Sequence, residues 1–464
     1  MKMKKAFALV AITIFSHSWS LAQLRLPSWI SSGMVIQQRD STTLNGWAGP
    51  GTAVVVQTSW STRSDTTKVT NLATWRLSVA TPVAGGPHRI TITSGSERLV
   101  LDDIWSGEVW VCSGQSNMEW SFRQGLKDIR DELPVAYRPQ LRLFHIPKTG
   151  ADHPQENVAG KWLVCDSVSL KDFSAVGYFF GKKLQQELSV PIGLIDASWG
   201  GTPAETWVPQ EAVLNDRALT AAAEKLGTFD WWPSRPAKAY NGMISPLHGH
   251  AIAGVIWYQG ESNVATASTY RHLMATLVDS WRSAWQKAFP FYFVQIAPYD
   301  YGSGLESAML REAQADLLSH PGTGMVVVSD LVDNIKDIHP VNKHDVGARL
   351  AGLALGEHYR VWSRNFRSPS LSTWSREKSR MILTFSDAEA GLVIRGRELE
   401  GAVLAGPDGN WHKASGKLVD GRLVLWSKNV REPVAARFGF GNTVIGNLFS
   451  AAGLPVAPFR TDRD

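Results

Sequence analysis

The sequence predicts an α/β protein, a parallel sheet covered by helices on both faces and flanked by β-rich segments. Three observations carry that expectation. Between residues 103 and 360, apolar strand-like runs alternate with amphipathic helical stretches, the pattern that builds a parallel sheet. On either side, residues 23–102 and 361–464 carry short runs rich in Val, Ile and Thr, broken by Gly, Pro, Asn and Asp. Several central runs also end in glycine-containing turns, and open parallel sheets place their chemistry beyond the carboxyl ends of the strands.

Residues 1–22 read as an export signal. Lys2, Lys4 and Lys5 supply the charge, Ala6 to Phe15 the apolar run, and Ser20-Leu21-Ala22 the small residues at the cut. The run is shorter than the roughly 20 residues a membrane helix needs. A secreted or periplasmic location is therefore expected. Residues 23–102 form a β-rich module, with Met34-Val35-Ile36, then the turn Gly49-Pro50-Gly51, TAVVVQTSW, WRLSVATP and GGPHRITITSG. Residues 103–360 begin with the strand EVWVC. They continue through the helix SAVGYFFGKKLQQEL, the strand PIGLIDASWGG, the strand AIAGVIWYQG and the helix YRHLMATLVDSWRSAW. The strand FPFYFVQIAPY, the helix AMLREAQADLLS, the strand GMVVVSD and the helix KHDVGARLAGLALGEHYR complete the unit. Residues 361–464 return to short β pieces such as RMILTFSD, AGLVIRG and GRLVLWS, a second β-rich domain.

Composition excludes several function classes. The net charge of +5 falls to about +2 without the signal lysines, and no Lys/Arg run is interleaved with aromatics, so no nucleic-acid partner is expected. No later apolar stretch is long enough for a membrane span in the mature chain. Cys112 and Cys165 are the only cysteines, either one disulfide or two buried thiols. His-Glu-x-x-His, closely spaced Cys/His sets, phosphate loops and dinucleotide fingerprints are all missing, so neither metal nor cofactor is expected. Nothing in the sequence fixes an oligomeric state.

The residues that remain fit nucleophilic acyl transfer. Ser116 follows an apolar strand and sits in a turn where Gly114 lets the chain bend, although Met118 departs from the G-x-S-x-G elbow. A serine hydroxyl needs a base held by an orienting partner. His339 follows the strand GMVVVSD, with Asp337 two residues before it and Asp333 as a rival orienter. His145, His153, His248 and His250 have weaker settings. Donors for an oxyanion come from two further strand ends: Gly200 and Gly201 in DASWGGTPAETW, and Gln259 and Asn263 in WYQGESN.

In order, VCSGQSNMEW, GLIDASWGGTPAETW, YNGMISPL with GVIWYQGESN, and DIHPVNK resemble the sialate O-acetylesterase family, within the SGNH hydrolase group of esterases. MVIQQ, LREAQ at 310–314 and GLPVAPFRTD extend the resemblance over nearly the whole mature chain. It implies a three-layer SGNH-hydrolase-like fold and removal of O-acetyl groups from carbohydrate by an acetyl-enzyme route. Ser116 matches the nucleophile, with its own N–H as one oxyanion donor, and His339 matches the base. Gly200 matches the backbone donor, Gly201 being the alternative. QGESN departs from G-x-N-D, leaving Gln259 or Asn263 as the side-chain donor. Asp337-x-His339 replaces the commoner Asp-x-x-His, with Lys336 at the three-back position, so Asp333 stays open beside Asp337. The expected substrate is O-acetylated sialic acid, with acetylated xylan as the alternative and a non-catalytic carbohydrate-binding protein as the rival of another class. Trp120, Trp199, Trp207 and Trp257 are candidates to stack on a sugar, and Arg311 to pair with a sialate carboxylate.

Overall fold

The computed structural model describes residues 23–463, and the export signal expected at 1–22 lies outside them. Its organising element is a strand of 18 residues, β1 (Glu97–Gly114). The first half mixes exposed, partly buried and buried positions, whereas every residue from Ser106 to Gly114 is buried, as inside a parallel sheet. That first half pairs antiparallel with Gly85–Ser94 and parallel with Val35–Gln37. One strand thus runs from the amino-terminal β structure into the central sheet, across the boundary expected at residue 102.

Six further strands complete the central sheet: β2 (Arg138–His145), β3 (Trp162–Cys165), β4 (Ile192–Ser198), β5 (Gly254–Tyr258), β6 (Phe291–Val294) and β7 (Thr323–Val326). Their order is β7-β6-β5-β1-β4-β2-β3, parallel throughout except for the β2–β3 pair. Chain order reverses around β1, with β4 on one side and β5 on the other. A switch point of this kind opens a crevice at the carboxyl ends of the strands.

Five helices matter for the site: α1 (Ser116–Glu119), α2 (Ala175–Leu188), α3 (Ala267–Trp285), α4 (Glu306–Asp316) and α5 (Lys343–Glu357). The strands alternate between two apolar cores, as a period of two requires. Val109, Val111, Val255, Trp257, Phe291 and Phe293 cluster with Leu273, Leu277 and Trp281 of α3. Their neighbours Trp110, Cys112, Ile256, Tyr258, Tyr292 and Val294 cluster with Phe180 of α2 and Leu350 of α5. α2 and α5 pack closely, because Gly347 lies where an added Cβ would come within 2.7 Å of Phe179 Cβ and of the Val176 carbonyl. The carboxyl-terminal strands, among them Arg380–Ser386 and Arg422–Trp426, enclose a third core around Leu383, Leu404 and Leu425. Arg460 ties this region back to Glu312 of α4.

Strands β2 and β3 were not expected, because Arg138, Gln140 and Arg142 interrupt the apolar pattern of β2. Arg142 is nevertheless buried, its guanidinium paired with Asp103 at 2.6 Å. Cys112 and Cys165 are both buried free thiols, and burial pushes both above the usual thiol range.

Gly114 offers a test of the turn that ends β1. Its φ is +133°, and an added Cβ would lie 2.2 Å from the Tyr258 carbonyl oxygen. Gly114→Ala should destabilise the protein by about 2 kcal/mol or more, with an unchanged denaturant m-value. Urea unfolding checks it, and an unaltered midpoint would contradict the turn geometry.

Candidate active site

The turn after β1 is held from both flanks. The Gln115 N–H donates to the Tyr258 carbonyl at the end of β5 (2.9 Å), and the Trp199 N–H donates to the Gly114 carbonyl from the end of β4 (3.0 Å). Ser116 then opens α1, so its N–H has no acceptor within the helix. The loop after β7 returns over this turn and brings His339 Nε2 to 2.9 Å from Ser116 Oγ.

Asp337 stands on the far side of the imidazole. One of its oxygens, Oδ1, accepts the His339 backbone N–H at 2.9 Å and lies 3.6 Å from His339 Nδ1, ion-pair range rather than hydrogen-bond range. Asp333 is exposed and forms no ion pair or hydrogen bond with His339 among the described residues. The Trp120 ring stacks on the imidazole with centroids 4.1 Å apart. Burial pushes His339 down to about 4; the neighbouring Lys343 cation adds to this and Asp337 opposes it.

Behind the pair lies a buried polar network that the sequence did not reveal. Asn117 Nδ2 donates to Glu261 Oε1 (2.6 Å) and to the Ile338 carbonyl (3.1 Å), while Asn117 Oδ1 accepts from Lys343 Nζ (2.6 Å). Asn117, Glu261 and Lys343 are all buried. Burial lowers Lys343 to about 7, with Glu261 first among the acids that oppose it, and burial raises Glu261 against the pull of Asn117 and Lys343. Asp128 Oδ2 accepts the backbone N–H groups of Lys343 (2.8 Å) and His344 (3.0 Å), placing a carboxylate at the start of α5. Lys343 follows His339 by four residues and Asn117 adjoins Ser116. Proximity in the chain was the only available signal, and it says nothing of burial.

The predicted oxyanion donors fare differently. Gly200 is close to the nucleophile turn, since an added Cβ would lie 3.3 Å from Ser116 Cβ. Its N–H donates to Glu119 Oε2 (2.5 Å), while Glu119 Oε1 pairs with Lys148 (2.6 Å). The Gly201 carbonyl accepts from Ser262 Oγ at 2.9 Å.

Gln259 and Asn263 lie in one buried amide network. Gln259 Nε2 donates to Asn263 Oδ1 (2.7 Å) and the Thr202 carbonyl (3.3 Å), and Asn263 Nδ2 donates to Glu205 Oε2 (2.8 Å) and Thr266 Oγ1 (3.3 Å). Both side chains are fully buried and both amides have their N–H groups engaged, so in this arrangement they brace the end of β5. Trp207 and Trp257 are core residues, leaving Trp120 and Trp199 partly accessible. Arg311 is buried, and its Nη2 donates to the Gly441 carbonyl (2.5 Å).

A serine hydroxyl within hydrogen-bond reach of an imidazole is the arrangement that nucleophilic catalysis by serine requires. Residues 106–355 match the model of a carbohydrate esterase family described as sialic acid-specific acetylesterase. The chain is 30% identical to the sialate O-acetylesterase of Pongo abelii, over 72% of this chain and 71% of that protein. It is 29% identical to the sialate O-acetylesterase of Homo sapiens over the same shares. It also superposes on the crystal structure of a carbohydrate acetylesterase from Xanthomonas citri with a TM-score of 0.87 and 32% identity, covering 95% of this chain and all of that one.

Lys343 makes the electrostatics testable. A base must be neutral to accept a proton, so activity should rise as pH climbs through the His339 pKa. Lys343→Met removes the cation that helps hold that pKa down. The acid limb of the kcat/KM profile for an aryl acetate should therefore move to higher pH. The same variant should lose about 1–3 kcal/mol of stability, because Asn117 Oδ1 loses its donor. An acid limb that stays in place would argue against this coupling.

Proposed function

Since the chain belongs to the carbohydrate esterase family of sialic acid-specific acetylesterases, we infer that Ser116 and His339 carry out the ester hydrolysis. The protein is a carboxylic ester hydrolase that removes O-acetyl groups from sialic acid or other carbohydrate. The 2.9 Å contact between Ser116 Oγ and His339 Nε2 is the observation that carries the assignment. In the proposed mechanism His339 takes the Ser116 proton as the hydroxyl attacks the acetyl carbonyl. Protonated His339 then donates that proton to the departing sugar oxygen. Water, deprotonated by the same imidazole, attacks the acetyl-enzyme and releases acetate. Asp337 acts as the orienting carboxylate, supported by its hydrogen bond from the His339 backbone N–H and its approach to His339 Nδ1.

The oxyanion is assigned to the N–H groups of Ser116 and Gly200. A preorganised donor of this kind is worth roughly 3 kcal/mol in a transition state. Glu119 holds the Gly200 N–H in the free protein, so its carboxylate must yield that donor as the oxyanion forms, with Lys148 to retain it.

The proposal extends to the setting of the enzyme. Residues 1–22 act as an export signal and the protein works outside the cytoplasm. Among the described residues no helix is long and apolar enough to cross a membrane. Three units follow the signal, at 23–102, 103–360 and 361–464, the first two joined by the continuous strand β1, and the middle one is a three-layer SGNH-type esterase domain. The partition of alternate strand residues between a core with α3 and a core with α2 and α5 supports helices on both faces.

Ser116→Ala should keep its unfolding temperature and lose acetate release by about a thousandfold or more. The measurement is acetate liberated from O-acetylated sialic acid, acetylated xylan and an aryl acetate. Full activity of the variant on the substrate that the wild type prefers would sink the assignment, and the preferred sugar distinguishes sialate from plant polysaccharide.

A further inference from the structure

Residues 224–239 connect the helix Arg217–Ala223 to the helical turn Tyr240–Ile244 without a helix or strand of their own. Connections in compact domains usually run to about 4–6 residues, and much longer ones tend to be functional. This one carries Phe229, Trp231 and Trp232. Trp231 is 71% exposed and Phe229 51% exposed, an aromatic patch that burial alone does not account for.

The patch is fastened to the active site. The Trp232 ring lies on Gly201, where an added Cβ would be 2.4 Å from it. The Trp231 carbonyl accepts the indole N–H of Trp199 at 3.1 Å. Ring centroids lie 4.6 Å apart between Phe229 and Trp232, and 6.3 Å apart between Trp231 and Trp232. Gly201 follows Gly200, whose backbone abuts Ser116. An aromatic shelf is therefore continuous with the nucleophile turn. The tryptophans in the core, Trp207 and Trp257, have no accessible face to offer a sugar. Charges along the connection are mixed, Glu224 and Asp230 with Lys225, Arg235 and Lys238, so no single-sign cluster selects an anion.

We propose that Trp231, flanked by Phe229 and Trp232, is a stacking platform for a neutral pyranose next to the acetylated residue, making the substrate an oligosaccharide or polymer instead of a free acetylated monosaccharide. The inference rests on the acetylesterase reading and deepens it. Pyranose rings present C–H faces that pack on aromatic planes, while their hydroxyl edges stay in water. Binding energy gained away from the ester favours longer substrates.

The test compares wild type, Trp231→Ala and Trp231→Phe on para-nitrophenyl acetate and on two pairs of sugars. The pairs are acetylated xylose with acetylated xylotriose, and O-acetylated sialic acid free or within sialyllactose. In the series that the wild type hydrolyses, kcat/KM should be about tenfold higher for the trisaccharide, mostly through KM. Trp231→Ala should lower the ratio of trisaccharide to aryl acetate activity by about the same factor, and Trp231→Phe should restore most of it. A wild type with no preference, or a preference that survives Trp231→Ala, overturns the platform. So does a dimer in sedimentation that Trp231→Ala dissociates, since a second copy would then cover the patch. A wild type inert toward the aryl acetate sinks the esterase reading instead. Calorimetric binding of unacetylated xylotriose and sialyllactose, weakened by Trp231→Ala, then decides the platform by itself: no binding to wild type, or equal binding to both, overturns it.

Discussion

The carboxamide of Asn117 is the interaction on which the site depends. It receives a hydrogen bond from Lys343 at the start of α5 and gives two, to Glu261 beyond β5 and to the Ile338 carbonyl in the His339 loop. The turn at Asn117, the segment at Glu261 and the continuous stretch 338–343 are thereby fixed relative to one another through one side chain adjacent to Ser116. All three side chains are buried. A group left without its partner there would keep the full cost of its desolvation. The network therefore tolerates little change, and the 2.9 Å approach of His339 to Ser116 inherits that rigidity.

The same network sets the charge around His339. Lys343 Nζ lies 5.5 Å from the centre of the Trp120 ring, the ring that also stacks on the imidazole. A cation and an imidazole that share one aromatic neighbour repel a further proton on the imidazole, and burial acts in the same direction. Asp337 opposes both, but it is half exposed and 3.6 Å from Nδ1, so solvent weakens its pull. The balance keeps His339 neutral and able to accept a proton.

What the sequence disclosed follows from how local each signal is. The strands β1, β4, β5, β6 and β7 and the helices α2, α3, α4 and α5 were legible because their apolar periods are strong. β2 was hidden because Arg142 reads as a surface residue until its pairing with Asp103 is known. Ser116 and His339 were legible through motifs that recur in order along the chain. Spacing cannot say which way an amide points. The sequence marks Gln259 and Asn263 as candidate donors, and only the fold shows that their amides bond to each other, Thr202, Glu205 and Thr266. Lys343 and Glu261 carry no local signal of burial in the sequence, yet both are buried in the fold, each bonded to Asn117.

Glu119 places a complementary constraint on the other side of Ser116. Its carboxylate satisfies the Gly200 N–H in the free protein, which avoids an unpaired donor beside the nucleophile. In the proposed mechanism a fixed negative charge at that place would oppose the developing oxyanion, so Glu119 would have to release the Gly200 N–H as the reaction proceeds. Lys148, bonded to the other carboxylate oxygen and partly exposed, gives Glu119 a partner to keep once it releases Gly200. The two flanks of Ser116 thus work by opposite means. On the histidine flank, buried groups allow little freedom and hold one geometry. On the glycine flank, a partly exposed ion pair between Lys148 and Glu119 is less constrained than the fully buried groups opposite. An active site with a rigid base and a displaceable occupant of its oxyanion donor is consistent with both sets of contacts.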